Sequence, residues 1–224
     1  MSNNTLMLRR CIDLSASLHG SRCLEADAFS LLGKGLAAWL GALLDELGVK
    51  DQPLIHGIVA PGAIIEGRVY IAEGAIIEPT AYIQGPCYIG PKAEVRHGAY
   101  IRGQVYVGPG AVVGHATEVK GSVFFDGAKA GHFAYVGDAI LGREVNLGAG
   151  TKLANLPLRR GTIRLKHPDG HLISSGLSKF SAILGDYAQT GCNSVLSPGT
   201  ILMPNTAVMP CVHFRGTLMT GIAR

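Results

Sequence analysis

From Val59 onward an apolar residue returns at every sixth position, and no other feature of the chain constrains its fold so tightly. Stepping by six gives Val59, Ile65, Ile71, Ile77, Ile83, Ile89, Val95, Ile101, Val107, Val113, Val119 and Phe125. Four residues after each comes a second restricted position, filled by small or β-branched residues from Ala63, Val69 and Ala75 through Ala111, Thr117 and Val123. A period of six matches neither the 3.6 of a helix face nor the 2 of an ordinary strand. It matches a parallel β-helix, in which a short strand and a turn make one unit and three units close one coil. Each inward aliphatic then stacks on its equivalent eighteen residues on. The turns Pro61-Gly62, Glu73-Gly74 and Pro109-Gly110 supply the backbone angles that the corners need. One coil cannot bury its own core, so stability comes from stacked neighbours.

The pattern divides the chain. Residues 1–53 precede the repeat and contain an amphipathic helix over 27–47, with Phe29, Leu32, Leu36, Trp39, Leu40, Leu43, Leu44 and Leu47 on one face. Asp27 is placed to cap its start and Gly48 to end it, with a break near Gly33–Gly35. This helix is expected to cap the first coil, where unpaired strand edges would otherwise face solvent. Lys34, Asp45 and Glu46 interrupt its apolar run, so no membrane span is expected. The β-helix is expected over 54–213, with 214–224 as a C-terminal tail.

After Phe125 the strict six slips, because Ala130, Val136, Leu141 and Leu147 follow at steps of five, six, five and six. One-residue deletions at corners re-aim side chains, so the slip marks a place bent for something other than packing. Residues 155–182 leave the repeat altogether. The basic run Arg159, Arg160, Arg164 and Lys166 leads into Pro168-Asp169-Gly170, which predicts a loop or hairpin thrown out of the coil. The repeat resumes at Leu184.

A net charge of +4 with no dense basic run and no interleaved aromatics argues against nucleic acid as a partner. The cysteines at 11, 23, 87, 192 and 211 are odd in number and include no Cys-x-x-Cys pair, which fits neither a disulfide framework nor a structural zinc site. Met1–Arg10 has no apolar signal-peptide core, and a cytoplasmic setting is the expectation.

Arg102 and Lys120 each follow an inward aliphatic and lie one coil apart, so they are expected one above the other at about 4.8 Å spacing. Two stacked cations repel unless an anion sits with them, and a phosphate is a natural guest. Two solvated surface charges would give the same spacing. In the slipped region lie His132, Tyr135, Asn146 and Asn155, with Glu118 nearby. A histidine backed by a carboxylate can act as a general base near neutral pH.

The runs Val113-Gly114-His115-Ala116-Thr117-Glu118-Val119-Lys120, Gly131-His132-Phe133-Ala134-Tyr135-Val136-Gly137-Asp138 and Val145-Asn146-Leu147-Gly148-Ala149-Gly150-Thr151 resemble the acetyltransferase domain of the bifunctional glucosamine-1-phosphate acetyltransferase/N-acetylglucosamine-1-phosphate uridylyltransferase family. Ala154-Asn155-Leu156 with its long insertion, then Ser178-Lys179-Phe180-Ser181, is more similar to the archaeal-type sugar-1-phosphate nucleotidylyltransferase/acetyltransferases. The resemblance spans about 55–213. It implies a left-handed coil, a homotrimer with sites between subunits, and acetyl transfer from acetyl-CoA to a hexosamine 1-phosphate. It further implies His132 as the catalytic base, Glu118 as its orienting carboxylate, Arg102 and Lys120 on the phosphate, Tyr135 and Asn146 on the sugar, and Asn155 near the amine and acetyl-CoA. Cys192 and Pro210 stand where that family has a serine and an alanine beside CoA. Residues 1–50 carry no Gly-rich nucleotide loop and are too few for a nucleotide-binding domain, so they are not expected to make a sugar nucleotide unaided. A non-catalytic alternative stays open: a module that binds a sugar phosphate or nucleotide sugar, or that oligomerises with a separate nucleotidyltransferase. No metal is expected. His97 and His115 are stacked one coil apart, but neither His115 nor His132 has the second histidine five residues away that γ-class carbonic anhydrases carry.

Overall fold

The computed structural model describes residues 6–23 and 26–224; residues 1–5 and 24–25 of the N-terminal segment lie outside the described residues. From Leu54 onward the chain winds into a parallel β-solenoid whose strands stack into three sheets of nine, nine and eight strands. The first strands of these sheets are Leu54–Ile55, Ile58–Val59 and Ile64–Glu66, and we call the sheets the covered, open and site sheets respectively. Each strand is two to four residues long, as a six-residue unit requires.

The interior is the expected column of aliphatics. Ile71, Ile89 and Val107 stack in the covered sheet, Ile77, Val95 and Val113 in the open sheet, and Ile83, Ile101 and Val119 in the site sheet, all fully buried. Each such side chain contributes about 1.5–3 kcal/mol on burial. Gly62, Gly74 and Gly110 have φ of 86°, 77° and 63°, left-handed values that explain glycine at those corners.

The slip begins earlier than the sequence suggested. Val107 pairs with Phe124, seventeen residues on, so Phe124 takes the inward position and Phe125 packs outside the coil. For the same reason Ser122, and not Val123, fills the second inward position opposite Val105. Its hydroxyl is satisfied there, donating to the Lys120 carbonyl at 2.7 Å and accepting from Ala139 N–H at 3.1 Å. The missing residues fall at Gly121 and at Gly137–Asp138, the same corner in successive coils.

The N-terminal segment does not cap the first coil. A 3-10 turn (Ala28–Leu31) and helix α1 (Lys34–Glu46) lie on the outer face of the covered sheet, with Leu36, Leu40, Leu43 and Leu44 buried there. Val59, Ala63 and Ile65 at the coil's start are only partly buried. The covered sheet attracts the helix because its outward positions are apolar: Tyr70, Tyr88 and Tyr106 stack at 5.5 and 4.9 Å, and Val123, Ile140, Ile183 and Ile201 continue the row. Asp27 does not cap the turn that follows it, because its carboxylate accepts Leu6 N–H at 3.1 Å. Gly48 does end the helix: its N–H reaches the Asp45 carbonyl and Val49 N–H the Leu44 carbonyl, closing the last turn.

The insertion is a hairpin, Arg164–Lys166 against Leu172–Ser174, with Pro168-Asp169-Gly170 in its turn. It is not thrown clear of the coil. Ile163, Leu165, Ile173 and Phe180 are buried in the same outer cluster as the N-terminal helix, while Arg159, Arg160, Arg164 and Lys166 stay exposed. Residues 214–224 are also not a tail, since Thr217–Leu218 and Ile222–Ala223 pair in register as the last coil. No helix among the described residues is long and apolar enough to cross a membrane.

All five cysteines are free. Burial pushes the Cys11 thiol up to about 12 and Cys23 to about 11, and raises Cys87 likewise, whereas Cys192 and Cys211 are exposed. A thiolate is the reactive form. An aromatic disulfide reagent at pH 8 is therefore expected to titrate two thiols rapidly in the native protein and the other three only on unfolding; three or more rapid equivalents would contradict this cover over Cys11 and Cys23.

Candidate active site at the edge of the open and site sheets

The site-sheet strands and the corners at their two ends carry most of the expected residues. His115 and His132 are register partners at the ends of Val112–His115 and Lys129–His132, and His97 stacks on His115 at 5.4 Å. After His132 the chain turns at Phe133, whose φ is 35°, and enters the site sheet at Tyr135. His132 is exposed, and its imidazole makes no hydrogen bond to a described residue. The same edge continues upward: Gly150 N–H meets the His132 carbonyl, Asn193 N–H the Ala149 carbonyl and Cys211 N–H the Cys192 carbonyl. Exposed Cys192 thus lies two coils from His132, about 10 Å away, and exposed Pro210 one coil further.

Across the corner, the site sheet carries the charges. Arg102 and Lys120 occupy equivalent positions in adjacent coils, as their spacing required. The protein itself supplies their counter-charges. Arg102 Nη1 donates to Glu118 Oε1 at 2.7 Å, and Lys120 Nζ donates to both carboxylate oxygens of Asp138 at 2.9 and 3.1 Å. Glu118 thus engages Arg102, where the sequence placed it behind His132, and it holds the guanidinium above its usual range. The Arg102–Glu118 pair is more than a third exposed, so its worth to stability is small. The Lys120–Asp138 pair is more enclosed, with side chains 23% and 11% exposed.

Asp138 is the residue the sequence reading passed over. Its carboxylate also accepts from Asn155 Nδ2, and Asn155 Oδ1 accepts from the Tyr135 hydroxyl at 3.3 Å. Burial, with Glu118 and Asp138 nearby, raises the Tyr135 phenol, so it stays a donor. Lys120, Asp138, Asn155 and Tyr135 therefore form one connected network beside the Arg102–Glu118 pair. The shortened corner was the available signal: at Gly121, a side chain would meet Asp138 Oδ1 at 2.6 Å. Behind Asp138 lies a cavity of about 510 Å³ lined by Leu32, Lys34, Leu177 and Lys179 among others, so N-terminal segment and insertion both border the network. Asn146 is not brought in. It is exposed on the outer face of the open sheet, between Lys129 and Gln189 in register.

A parallel solenoid with an imidazole at one corner and paired cations just beyond it defines the class: a hexapeptide-repeat protein with a polar, anion-compatible edge. The chain belongs to the GMPPB C-terminal domain family, whose model matches residues 83–218. It is 36% identical over 85 residues to a bifunctional sugar-1-phosphate nucleotidylyltransferase/acetyltransferase from Sulfurisphaera tokodaii, covering 38% of this chain and 21% of that protein. It is 40% identical over 76 residues to the bifunctional protein GlmU of Synechococcus sp. (strain CC9902), covering 34% and 13% respectively. The matched stretches thus span about a fifth or less of these relatives. Among solved structures, a perosamine N-acetyltransferase from Caulobacter crescentus, in complex with CoA and GDP-perosamine, aligns over 79% of this chain and 57% of its own, with 17% identity and a TM-score of 0.28.

Proposed function

We propose that the chain transfers an acetyl group from acetyl-CoA to the amino group of a hexosamine 1-phosphate such as glucosamine 1-phosphate, a step toward UDP-N-acetylglucosamine. The observation that carries this reading is the pair of cations stacked one coil apart at the end of the site-sheet strands, each held by a carboxylate of the same face, in coils whose open-sheet strand ends on an exposed imidazole. The names of the relatives, an acetyltransferase among them, support acyl transfer on a sugar.

On this reading the phosphate is received by N–H groups that the carboxylates leave unused: Arg102 has further guanidinium donors, and Lys120 spends two of three on Asp138. With the phosphate fixed, the amine lies within reach of the thioester carbon. Its nitrogen attacks that carbon, the C–S bond breaks, His132 takes the amine proton, and the CoA thiolate leaves to be protonated. Glu118 orients His132 once the phosphate has drawn Arg102 away from it. Tyr135 and Asn155 hold the sugar and amine, and the Cys192–Pro210 edge receives CoA. A homotrimer, in which the open sheet of one copy faces the site sheet of the next, is the arrangement that lets Asn146 join on the sugar. A reduced, cytoplasmic setting fits the five free thiols.

One observation favours a second reading. Glu118 is engaged by Arg102, and His132 has no partner among the described residues, as in a module that binds a sugar phosphate or nucleotide sugar without chemistry and serves a separate nucleotidyltransferase. Thiol release from acetyl-CoA across a panel of amino sugars separates the two. The first reading expects release only with acceptors bearing both an amine and a 1-phosphate. Calorimetric binding of the same sugar phosphates without any release would establish the second.

A further inference from the structure

At the tip of the insertion hairpin, His167, Asp169 and His171 turn three donor atoms toward one another, all within 4.8 Å. The turn fixes this convergence. His167 N–H donates to the His171 carbonyl and Gly170 N–H to the His167 carbonyl, both at 2.8 Å, so the two histidines face each other where the strands end. Their rings are 4.6 Å apart, and His167 Nδ1 lies 3.0 Å from Asp169 Oδ2. His167 is buried and anchored to the outer core, while Asp169 and His171 are exposed, so the cluster has one rigid wall and one open side.

We propose that this tip binds one divalent transition-metal ion of the zinc class, through His167 Nδ1, Asp169 Oδ2 and an imidazole nitrogen of His171, with its fourth position open to solvent. Two imidazoles and a carboxylate suit borderline ions such as zinc, nickel or copper better than calcium or magnesium, which want oxygen ligands. Metal–ligand bonds of about 2.1 Å in a tetrahedron set donors roughly 3.4 Å apart. His167 and Asp169 already meet that spacing, and a side-chain rotation of exposed His171 supplies the rest. These ligands sit in the insertion, outside the repeat of the coil.

A cation already tends the cluster. Arg10 reaches from the N-terminal segment, with Nη1 3.3 Å from His167 Nε2 and Nη2 donating to Asp169 Oδ1 at 3.0 Å. His167 Nδ1 also receives Asp169 N–H at 3.2 Å, a contact the metal displaces, and a metal on Nδ1 fixes the ring proton on Nε2, where it meets the Arg10 guanidinium donor to donor. Metal and guanidinium thus compete for His167, while Asp169 can serve the ion with Oδ2 and Arg10 with Oδ1. The ion thus weakens one of the two Arg10 contacts between hairpin and N-terminal segment and adds a link within the hairpin.

The test is calorimetric titration of zinc chloride into the chelator-stripped full chain, with cobalt(II) visible absorption to report four-coordination. One ion per chain is expected. Affinity should fall at least about 10-fold in His171→Ala and in Asp169→Asn, and should rise in Arg10→Gln. Circular dichroism guards against loss of fold, and the two exposed ligands give independent variants. Absence of binding, or equal binding by the wild type and both ligand variants, would overturn the assignment. Weaker binding in Arg10→Gln would overturn the competition at His167.

Discussion

His132→Ala is expected to lower acetyl transfer to an amino-sugar phosphate at least ~100-fold, the ordinary scale for removing a general base. The loss should appear in kcat, with the KM for the sugar phosphate nearly unchanged, because the proposed function assigns the phosphate to Arg102 and Lys120 and not to His132. The melting temperature should not move. His132 is exposed at a corner, its side chain bonds to no described residue, and its backbone carbonyl, which accepts from Gly150 N–H, survives the substitution. Arg102→Gln is the informative contrast: it should raise KM and free Glu118 from its ion pair. A His132→Ala protein that retains full thiol release would remove the imidazole from the mechanism and leave the corner as a binding surface only.

How far the sequence foretold this arrangement depends on what kind of information each part needed. The coil itself was legible, because a six-residue period records a contact repeated in every rung, and the stacking of Arg102 over Lys120 follows from the same arithmetic. The insertion hairpin was legible from its turn residues. Partner choice was not. Spacing places Arg102, Glu118, Lys120 and Asp138 on one face but does not say which carboxylate a cation prefers, and a resemblance that ties Glu118 to His132 carries no information on its pairing with Arg102. The strict six points Phe125 inward; the deletion at Gly121 shifts the phase by one and makes Phe124 the inward residue, a change that two adjacent phenylalanines disguise. The docking of the N-terminal helix was written in the chain but on the outward positions: Tyr70, Tyr88 and Tyr106 recur at eighteen, the period of the coil, on the face that a search for core residues ignores.

That outward row carries the second large expectation, a loss of about 3–5 kcal/mol in Tyr106→Ala, the range for truncating a buried large aromatic. Tyr106 is fully buried although it points out of the coil. It stacks on Tyr88 at 4.9 Å, takes the edge of Trp39 from helix α1 at 5.1 Å, and donates to the Leu18 carbonyl at 2.8 Å. Truncation opens a void between helix and sheet and strands a carbonyl. In a chain of 224 residues each kcal/mol moves the midpoint by about 2–4 °C, so a fall of roughly 10 °C is expected by calorimetry. Tyr106→Phe keeps the ring and loses only the hydrogen bond to exposed Leu18, at about 0.5–1.5 kcal/mol. Because a solenoid's rungs are stabilised by their neighbours, the damage should centre on the cover: amide exchange should quicken across Lys34–Glu46 while Val95, Val113 and Ala130 inside the coil stay protected. If Tyr106→Ala melted no lower than Tyr106→Phe, the helix would not owe its place to the tyrosine row. Uniform loss of protection across coil and helix would instead make cover and solenoid one cooperative unit, with the outward face as much a part of the core as the inward one.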